Sequence, residues 1–273
     1  MSLLAGTTIM GLQAQNLTYN RFLNWSSNTW SPPGILTNNF KFDTTNPASY
    51  DISFSLTTNN LDLRTAANPS PFVTNQNDGG LGNNALLMSF NAPNNNTNTT
   101  FAAVTFEFNY TNINSIVGVS NVSFQIYDID NGGTFQDRLF NISGTNNAGQ
   151  VIYANLSAVT SAPSFSITGS GAIDNQVLGT NAAPNQGTGA FAGSLQVDFG
   201  TNVMVGIYFI YGPGPAGPVD PGNQSISLGP IYYYIEPIPE PGTVNLLGLA
   251  LMAVLFGWFL KRRPPAPEKQ CLK

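Results

Sequence analysis

Apolar and polar residues alternate with a period of two along most of the chain between residues 15 and 235. Residues 51–57 read Asp-Ile-Ser-Phe-Ser-Leu-Thr, and clusters of asparagine and glycine separate such runs. Period two places successive side chains on opposite faces of a strand, and no stretch before residue 243 keeps a helical period. We therefore expect an all-β domain over residues 15–235, an antiparallel β-sandwich or jelly roll. The other predicted strands are residues 104–110, 122–127, 138–143, 165–167, 195–199, 203–211 and 226–235.

The composition excludes several classes of function. Charged residues make up 8% of the 273 residues, against about 25% in an average soluble domain, and 34 residues are asparagine. The chain has no histidine and one cysteine, Cys271. A Ser-His-Asp triad, a His-ligated zinc site and a disulfide framework are therefore all excluded. The formal charge of −5 argues against a nucleic-acid partner.

Residues 243–260 form an apolar run without a charged side chain. As a helix the run would span about 27 Å, close to the ~30 Å hydrocarbon core of a bilayer. Lys261, Arg262 and Arg263 follow directly. Such a basic membrane stop predicts a transmembrane helix at 243–260 and a cytoplasmic tail at 261–273. A buried helix of a soluble domain is the alternative, and the basic cluster argues against it.

A proline-rich segment precedes the apolar run, with the order Pro239-Glu240-Pro241 at its centre. Proline fixes φ and removes a backbone donor, so residues 236–242 are expected to form an extended linker. The order of Pro-Glu-Pro, apolar run and basic cluster resembles the PEP-CTERM sorting signal of bacterial exported proteins. The resemblance implies recognition by an exosortase, an integral-membrane transpeptidase, in a bacterium that makes exopolysaccharide. The chain departs from the family's pattern by continuing for ten residues, PPAPEKQCLK, after the basic cluster.

The N-terminus carries part of an export signal. Residues 1–14 are mostly apolar and end in Leu12-Gln13-Ala14, which suits cleavage after a small residue, but no basic residue precedes them. We interpret residues 1–14 as the remnant of a signal peptide whose basic start lies upstream of Met1. A frayed strand is the alternative interpretation.

Four oxygen-bearing side chains close together in sequence are candidate calcium ligands: Asp128, Asp130, Asn131 and Asp137. Residues 124–142 read as strand, turn and strand, a hairpin that would place Asp128 and Asp130 on one face. The alternative is a set of solvated turn carboxylates, one of them paired with Arg138. The EF-hand spacing is absent, so calcium is a possible ligand and no other cofactor is expected.

Aromatic and acidic residues suggest two further kinds of site. Trp25 and Trp30 flank a polar turn and are candidate stacking surfaces for a sugar; the alternative is the N-terminal edge of a core. Glu107 is the one glutamate before Glu236. Glycoside hydrolysis needs two carboxylates with different pKa values, and no partner for Glu107 is visible, so an exposed strand residue is favoured.

The leading function is therefore a non-enzymatic exported protein of the cell surface or extracellular matrix, held in the membrane by one span until an exosortase processes it. The alternative is a carbohydrate-binding module on the same sandwich, assisted by calcium. An exported hydrolase is a third and weaker hypothesis, because the chain has no histidine.

Overall fold

Strands make up nearly all regular structure in the part of the chain that the computed structural model describes. The described residues are 19–64, 69–74, 84–112, 115–183, 190–219 and 221–235. Within them no α-helix occurs, and one 3-10 turn covers Ala190–Gly193. The chain divides into two compact units, residues 1–236 and 237–273.

The strands follow in this order: β1 Tyr19–Leu23, β2 Thr37–Phe40, β3 Ile52–Asn59, β4 Asp62–Leu63, β5 Phe72–Thr74, β6 Ala85–Ala92, β7 Phe101–Phe108, β8 Thr111–Asn112, β9 Ser115–Ile116, β10 Ser120–Tyr127, β11 Asp137–Asn146, β12 Val151–Tyr153, β13 Asn155–Ala158, β14 Phe165–Thr168, β15 Gln176–Gly179, β16 Leu195–Asp198, β17 Met204–Pro213, β18 Gly222–Leu228 and β19 Ile231–Ile235.

Two large antiparallel sheets contain most of these strands. Sheet A has nine strands: β10 pairs with β16, β18 and β19, while β1, β4, β5, β6 and β13 complete it. Sheet B has eight strands in the order β14-β15-β11-β17-β7-β3-β2, with β12 paired to β11. Strands β8 and β9 form a separate pair. The all-β, antiparallel sandwich predicted from the alternation is thereby confirmed.

Aromatic rings fill the space between the two sheets. Phe106 of sheet B lies 5.8 Å from Phe124 of sheet A, measured between ring centroids. Phe54 and Phe209 extend the contact within sheet B, at 4.7 Å and 6.1 Å from the Phe106 ring. Each of these four side chains is at most 1% exposed. The inward positions of β3, β7, β10 and β17 therefore form one continuous core.

Several predicted strands have different limits in the structure. Strand β6 was not predicted, because six of its eight residues in a row are buried and no alternation marks it. The predicted strand 226–235 is divided at Gly229 and Pro230 into β18 and β19, which pair with successive parts of β10. Proline has no backbone N–H to donate, which accounts for the interruption.

The hairpin predicted over residues 124–142 is wrong. Strand β10 belongs to sheet A and β11 to sheet B, so the intervening turn carries the chain from one sheet to the other. Strand β10 ends at Tyr127, and Asp128 has a positive φ of 68°. Asp128 and Asp130 therefore do not share the face of a strand.

Ion pairs are few within the described residues. Arg21 contacts Asp43 at 3.4 Å, and Lys41 contacts Asp51 at 3.3 Å. The Asp51 carboxylate is fully buried and also accepts hydrogen bonds from the Phe42 and Asp43 backbone N–H groups. The Asn46 side chain donates a further hydrogen bond to the same carboxylate. Four donors thus hold the turn between β2 and β3. Buried carboxylates need such partners to offset their lost hydration.

Truncation of Phe124 tests the inter-sheet packing. F124A removes a ring that is 1% exposed, and we expect the free energy of unfolding to fall by about 3–5 kcal/mol. F22A is the control, because Phe22 on the same sheet is 50% exposed; its effect should be within about 0.5 kcal/mol. Urea unfolding followed by near-UV circular dichroism measures both, and equal losses would contradict the assigned core.

Candidate functional site

A groove lies on the outer face of sheet B, over strands β7, β11 and β17. It has a volume of about 450 Å³, within the range of about 300–1,000 Å³ that is typical of small-molecule sites. The groove is open to solvent along the sheet surface. Its lining residues are Thr105, Glu107, Phe108, Asn109, Ser143, Gly144, Thr145, Val151, Val205, Gly206, Ile207 and Tyr208.

Glycines and strand irregularities give the groove its depth. Gly206 lies opposite Glu107 in the β7–β17 pairing, so no side chain fills the position beside the carboxylate. At Gly144 a Cβ would collide with the buried Met204 side chain and with the Gly206 carbonyl oxygen, so the close approach of β11 and β17 there requires glycine. The β11–β17 register shifts on both sides of this region. Bulges of this kind bend a sheet locally and re-aim its side chains.

A buried amide holds the bulge in β11. The Asn175 side chain accepts a hydrogen bond from the Ile142 N–H at 2.6 Å and donates one to the Ile142 carbonyl at 2.7 Å. Asn175 is 1% exposed. Asn141, which precedes Ile142 in the bulge, has a positive φ of 53°, a conformation that asparagine tolerates better than most residues. Two buried hydrogen bonds with Asn175 therefore hold the bulge in place.

Glu107 is the charged residue of the groove. It occupies an exposed position of β7, between Ser53 of β3 and Gly206 of β17. Within the described residues the structure shows no hydrogen bond or ion pair to its carboxylate. Ser53 is already engaged, because the Asn109 side chain donates to its hydroxyl at 2.8 Å. The Glu107 oxygens are therefore available to a ligand.

Tyr208 supplies the aromatic ring of the groove. It lies opposite Thr105 of β7 and Ser143 of β11, and it is half-buried. Burial raises the pKa of the Tyr208 phenol, so the hydroxyl stays protonated near neutral pH. The described residues offer this hydroxyl no hydrogen-bond partner, so it can donate to a ligand.

The lining of the groove contains one of the two carboxyl groups that glycoside hydrolysis uses. Among the lining residues Glu107 is the single carboxylic acid. A glycosidase uses one carboxyl group as acid and a second as nucleophile or base, on opposite sides of the scissile bond. The exposed strand position that the sequence favours for Glu107 agrees with the structure.

The predicted calcium ligands Asp128, Asp130 and Asn131 lie in the turn between β10 and β11, and Asp137 is the first residue of β11. Two of the four, Asp130 and Asp137, are buried. Asp137 is fully buried; it accepts a hydrogen bond from the Tyr211 hydroxyl at 2.6 Å and one from the Asp130 N–H at 3.0 Å. Asp130 is 4% exposed and accepts a hydrogen bond from the Ala183 N–H at 2.8 Å. The interpretation of solvated turn carboxylates is therefore wrong for both residues.

Burial shifts the pKa values of the acidic groups in and around this turn. It raises the pKa of Asp137 well above the usual range, outweighing the hydrogen bonds from Tyr211 and Asp130. It also raises the pKa of Asp130, against the opposing hydrogen bond from the Ala183 N–H. The pKa of Tyr211 rises as well, because of burial and the nearby Asp137 charge. These shifts favour the neutral forms of the buried groups.

The expected pairing of Arg138 is not observed. Its Nε donates to the Gln176 side chain at 2.7 Å, and Nη1 donates to the Thr97 carbonyl at 3.2 Å. The guanidinium lies 4.1 Å above the Phe140 ring. Arg138 points outward from β11, whereas Asp137 points into the sandwich, because adjacent strand residues face opposite sides.

Nor do the turn carboxylates converge on a metal site. Within the described residues no three acidic, cysteine or histidine side chains lie close enough to hold an ion. The Asp137 oxygens already accept from an O–H and an N–H group. One oxygen of Asp130 is buried and has no hydrogen-bond partner in the described structure.

Trp25 and Trp30 both lie in the core, which matches the alternative interpretation from sequence. They are 1% and 3% exposed. The Trp25 Nε1 donates to the Gly229 carbonyl at 2.9 Å, and the Trp30 ring packs edge-on against Phe54 at 4.8 Å. A sugar needs an exposed ring face, so these two indoles do not form a surface platform.

The predicted export and sorting features lie outside the described residues. These are the signal remnant 1–14, the linker 236–242, the apolar run 243–260 and the tail 261–273, with Pro239, Glu240, Pro241, Lys261, Arg262 and Arg263 among them. In the ranges that the structure describes, no helix has the length and apolar character needed to cross a bilayer.

Comparison with solved structures finds a distant neighbour, an adhesin domain. No family model and no curated protein sequence matches the chain. The N-terminal domain of the Streptococcus gordonii adhesin Sgo0707 aligns with a TM-score of 0.38 and 12% identity, over 82% of this chain. The alignment spans about half of that domain's chain, 53%.

Stability should depend on pH through Asp137. The folded chain keeps the Asp137 proton at pH values where the unfolded chain, with a pKa of about 3.9, has lost it. The contribution of Asp137 to the free energy of unfolding is therefore fully present below the unfolded pKa and is lost as pH rises through the raised folded pKa; Asp130 contributes in the same direction. D137N should flatten this fall, and D62N at an exposed strand position should not. Urea unfolding between pH 4 and pH 8 measures the slopes, and equal slopes would refute the assignment.

Calcium should leave the melting temperature unchanged. The Asp137 oxygens accept from protein O–H and N–H groups, and calcium needs six to eight oxygen ligands. Thermal unfolding in 2 mM calcium and in EDTA tests this. An ion at a hundredfold excess over its Kd would add about 2.7 kcal/mol, so a rise of several degrees in wild type that is lost in D128N, D130N or D137N would show that these residues bind it.

Proposed function

We propose that the chain is a non-enzymatic exported protein of the cell surface or extracellular matrix, sorted through its C-terminal segment by an exosortase. The observation that carries the proposal is the order of Pro239-Glu240-Pro241, the apolar run 243–260 and the basic stop Lys261-Arg262-Arg263. In this proposal one membrane span holds the protein until processing, and the sandwich faces the outside.

The character of the sandwich supports this proposal. Between residues 15 and 238 the chain has twelve acidic and four basic residues, whereas the other five basic residues follow Leu260. This asymmetry matches the positive-inside rule for a single span. The compact unit also ends at Glu236, next to the start of the proline-rich segment.

Glu240 is the residue that separates a sorting signal from a plain anchor. An anchor needs the apolar run and the basic stop, and any polar linker would serve before them. A glutamate between two prolines instead offers one carboxylate on an extended backbone, a shape that a basic site of a membrane enzyme can bind. In this proposal the prolines on both sides keep the segment out of the membrane span that follows it.

Replacement of Glu240 tests the sorting signal. E240A should slow processing by roughly ten- to a hundredfold, because it removes a charge-assisted hydrogen bond. The full chain is expressed in a bacterium that carries an exosortase, and its size and location are followed by immunoblotting of membrane and released fractions. Wild type should appear as a shorter released or matrix-linked form, and E240A should accumulate at full length in the membrane.

E236A is the matched control, since Glu236 is a second glutamate four residues upstream, outside the motif. It should be processed like wild type. Equal release of wild type and E240A would refute the signal and leave an ordinary single-span protein. Equal delay in both variants would point to a general effect of linker charge.

A further inference from the structure

We propose that the groove on sheet B binds a neutral oligosaccharide. In this proposal the Glu107 carboxylate accepts hydrogen bonds from sugar hydroxyls, and the Tyr208 ring packs against the apolar face of a pyranose. The proposal goes beyond the sorting function, because it assigns a ligand to the sandwich itself. It does not require that an exosortase process the chain.

The spacing of the two residues suits one sugar ring. Glu107 pairs with Gly206, and Tyr208 is two residues further along β17, opposite Thr105. Diagonal positions of this kind are about 7–8 Å apart. Gly206 leaves the space beside the carboxylate open, so a pyranose can lie between an acceptor on one side and an aromatic ring on the other.

The groove offers the mixture of surfaces that a sugar presents. Thr105 and Thr145 contribute hydroxyl groups beside the carboxylate and the phenol. Val151, which is 57% exposed, and Val205 contribute apolar surface. A pyranose has hydroxyls around its edge and C–H groups on its faces, so both kinds of surface are matched.

The charge of the groove disfavours an anionic ligand. The lining residues include one carboxylate and no lysine or arginine. A phosphate, a nucleic acid or an acidic polysaccharide would meet an uncompensated negative charge, which disfavours binding. A neutral sugar hydroxyl instead donates to that carboxylate, and hydrogen bonds to a charged acceptor are the stronger kind.

Backbone pairing argues against a peptide added as a further strand. Strand β7 is hydrogen-bonded to β3 and β17, and β17 is hydrogen-bonded to β7 and β11. Recognition by strand addition needs a sheet edge with free backbone groups. In β7 and β17 those groups are already paired, so a ligand lying over these two strands is recognised through side chains.

A second aromatic surface, exposed on sheet A, serves as the control for sugar stacking at the groove. Phe22 and Tyr232 stack with their ring centroids 5.8 Å apart and are 50% and 46% exposed. They project from β1 and β19, on the other sheet from the groove. A sugar that stacks on any exposed ring would bind there as well.

Calorimetric titration of the purified full-length chain tests the proposal, in a detergent without a sugar headgroup. The probes are neutral pentasaccharides of glucose, mannose, galactose and N-acetylglucosamine, with pentagalacturonate as the anionic comparison. We expect at least one neutral probe to bind with a Kd below about 1 mM, and no measurable binding of pentagalacturonate.

The variants locate the site. E107Q should weaken binding roughly tenfold or more, because it removes the charge-assisted hydrogen bonds. Y208A should have a similar effect, and Y208F a smaller one, since it keeps the ring. The double variant F22A/Y232A should bind like wild type, and melting temperatures check that every variant folds.

Four results would overturn the proposal. They are no binding of any neutral probe, unchanged affinity in E107Q and Y208A, loss of binding in F22A/Y232A, and binding of pentagalacturonate as tight as that of the neutral sugars. Because the measurement uses purified protein, its failure leaves the sorting experiment with Glu240 unaffected.

Discussion

The aromatic contacts between the two sheets fix which residues of the central strands face inward and which face outward. Phe106 touches Phe124 across the interface and Phe54 and Phe209 beside it, so these strands share one packed layer. Because side chains alternate along a strand, fixing Phe106 inward also fixes Thr105 and Glu107 outward. The groove is thus a consequence of the same register that builds the core.

Much of the fold was predictable, because a strand with one buried face shows its period in the sequence. The limits of strands β3, β7, β10 and β16 differ from the predicted ones by at most three residues. Strand β6 was missed because it is buried on both faces and shows no period. The turn after Tyr127 was misread as a hairpin, because local sequence does not show that the chain changes sheets there.

The groove was not predictable in the same way. It needs β7 and β17, about a hundred residues apart in sequence, to pair so that Gly206 faces Glu107. It also needs the β11 bulge, which Asn175 holds through both polar atoms of its amide. The sequence singled out Glu107 but gave no signal for Tyr208. Trp25 and Trp30, by contrast, attracted attention by residue type and are core residues.

The pairing of β19 has a mechanical consequence. This strand is hydrogen-bonded to β1 and to β10, and the chain continues directly from Ile235 into residue 236. A force applied at Ile235 along β19 would therefore be opposed on both sides of the strand at once, because its backbone hydrogen bonds to β1 and to β10 must shear together.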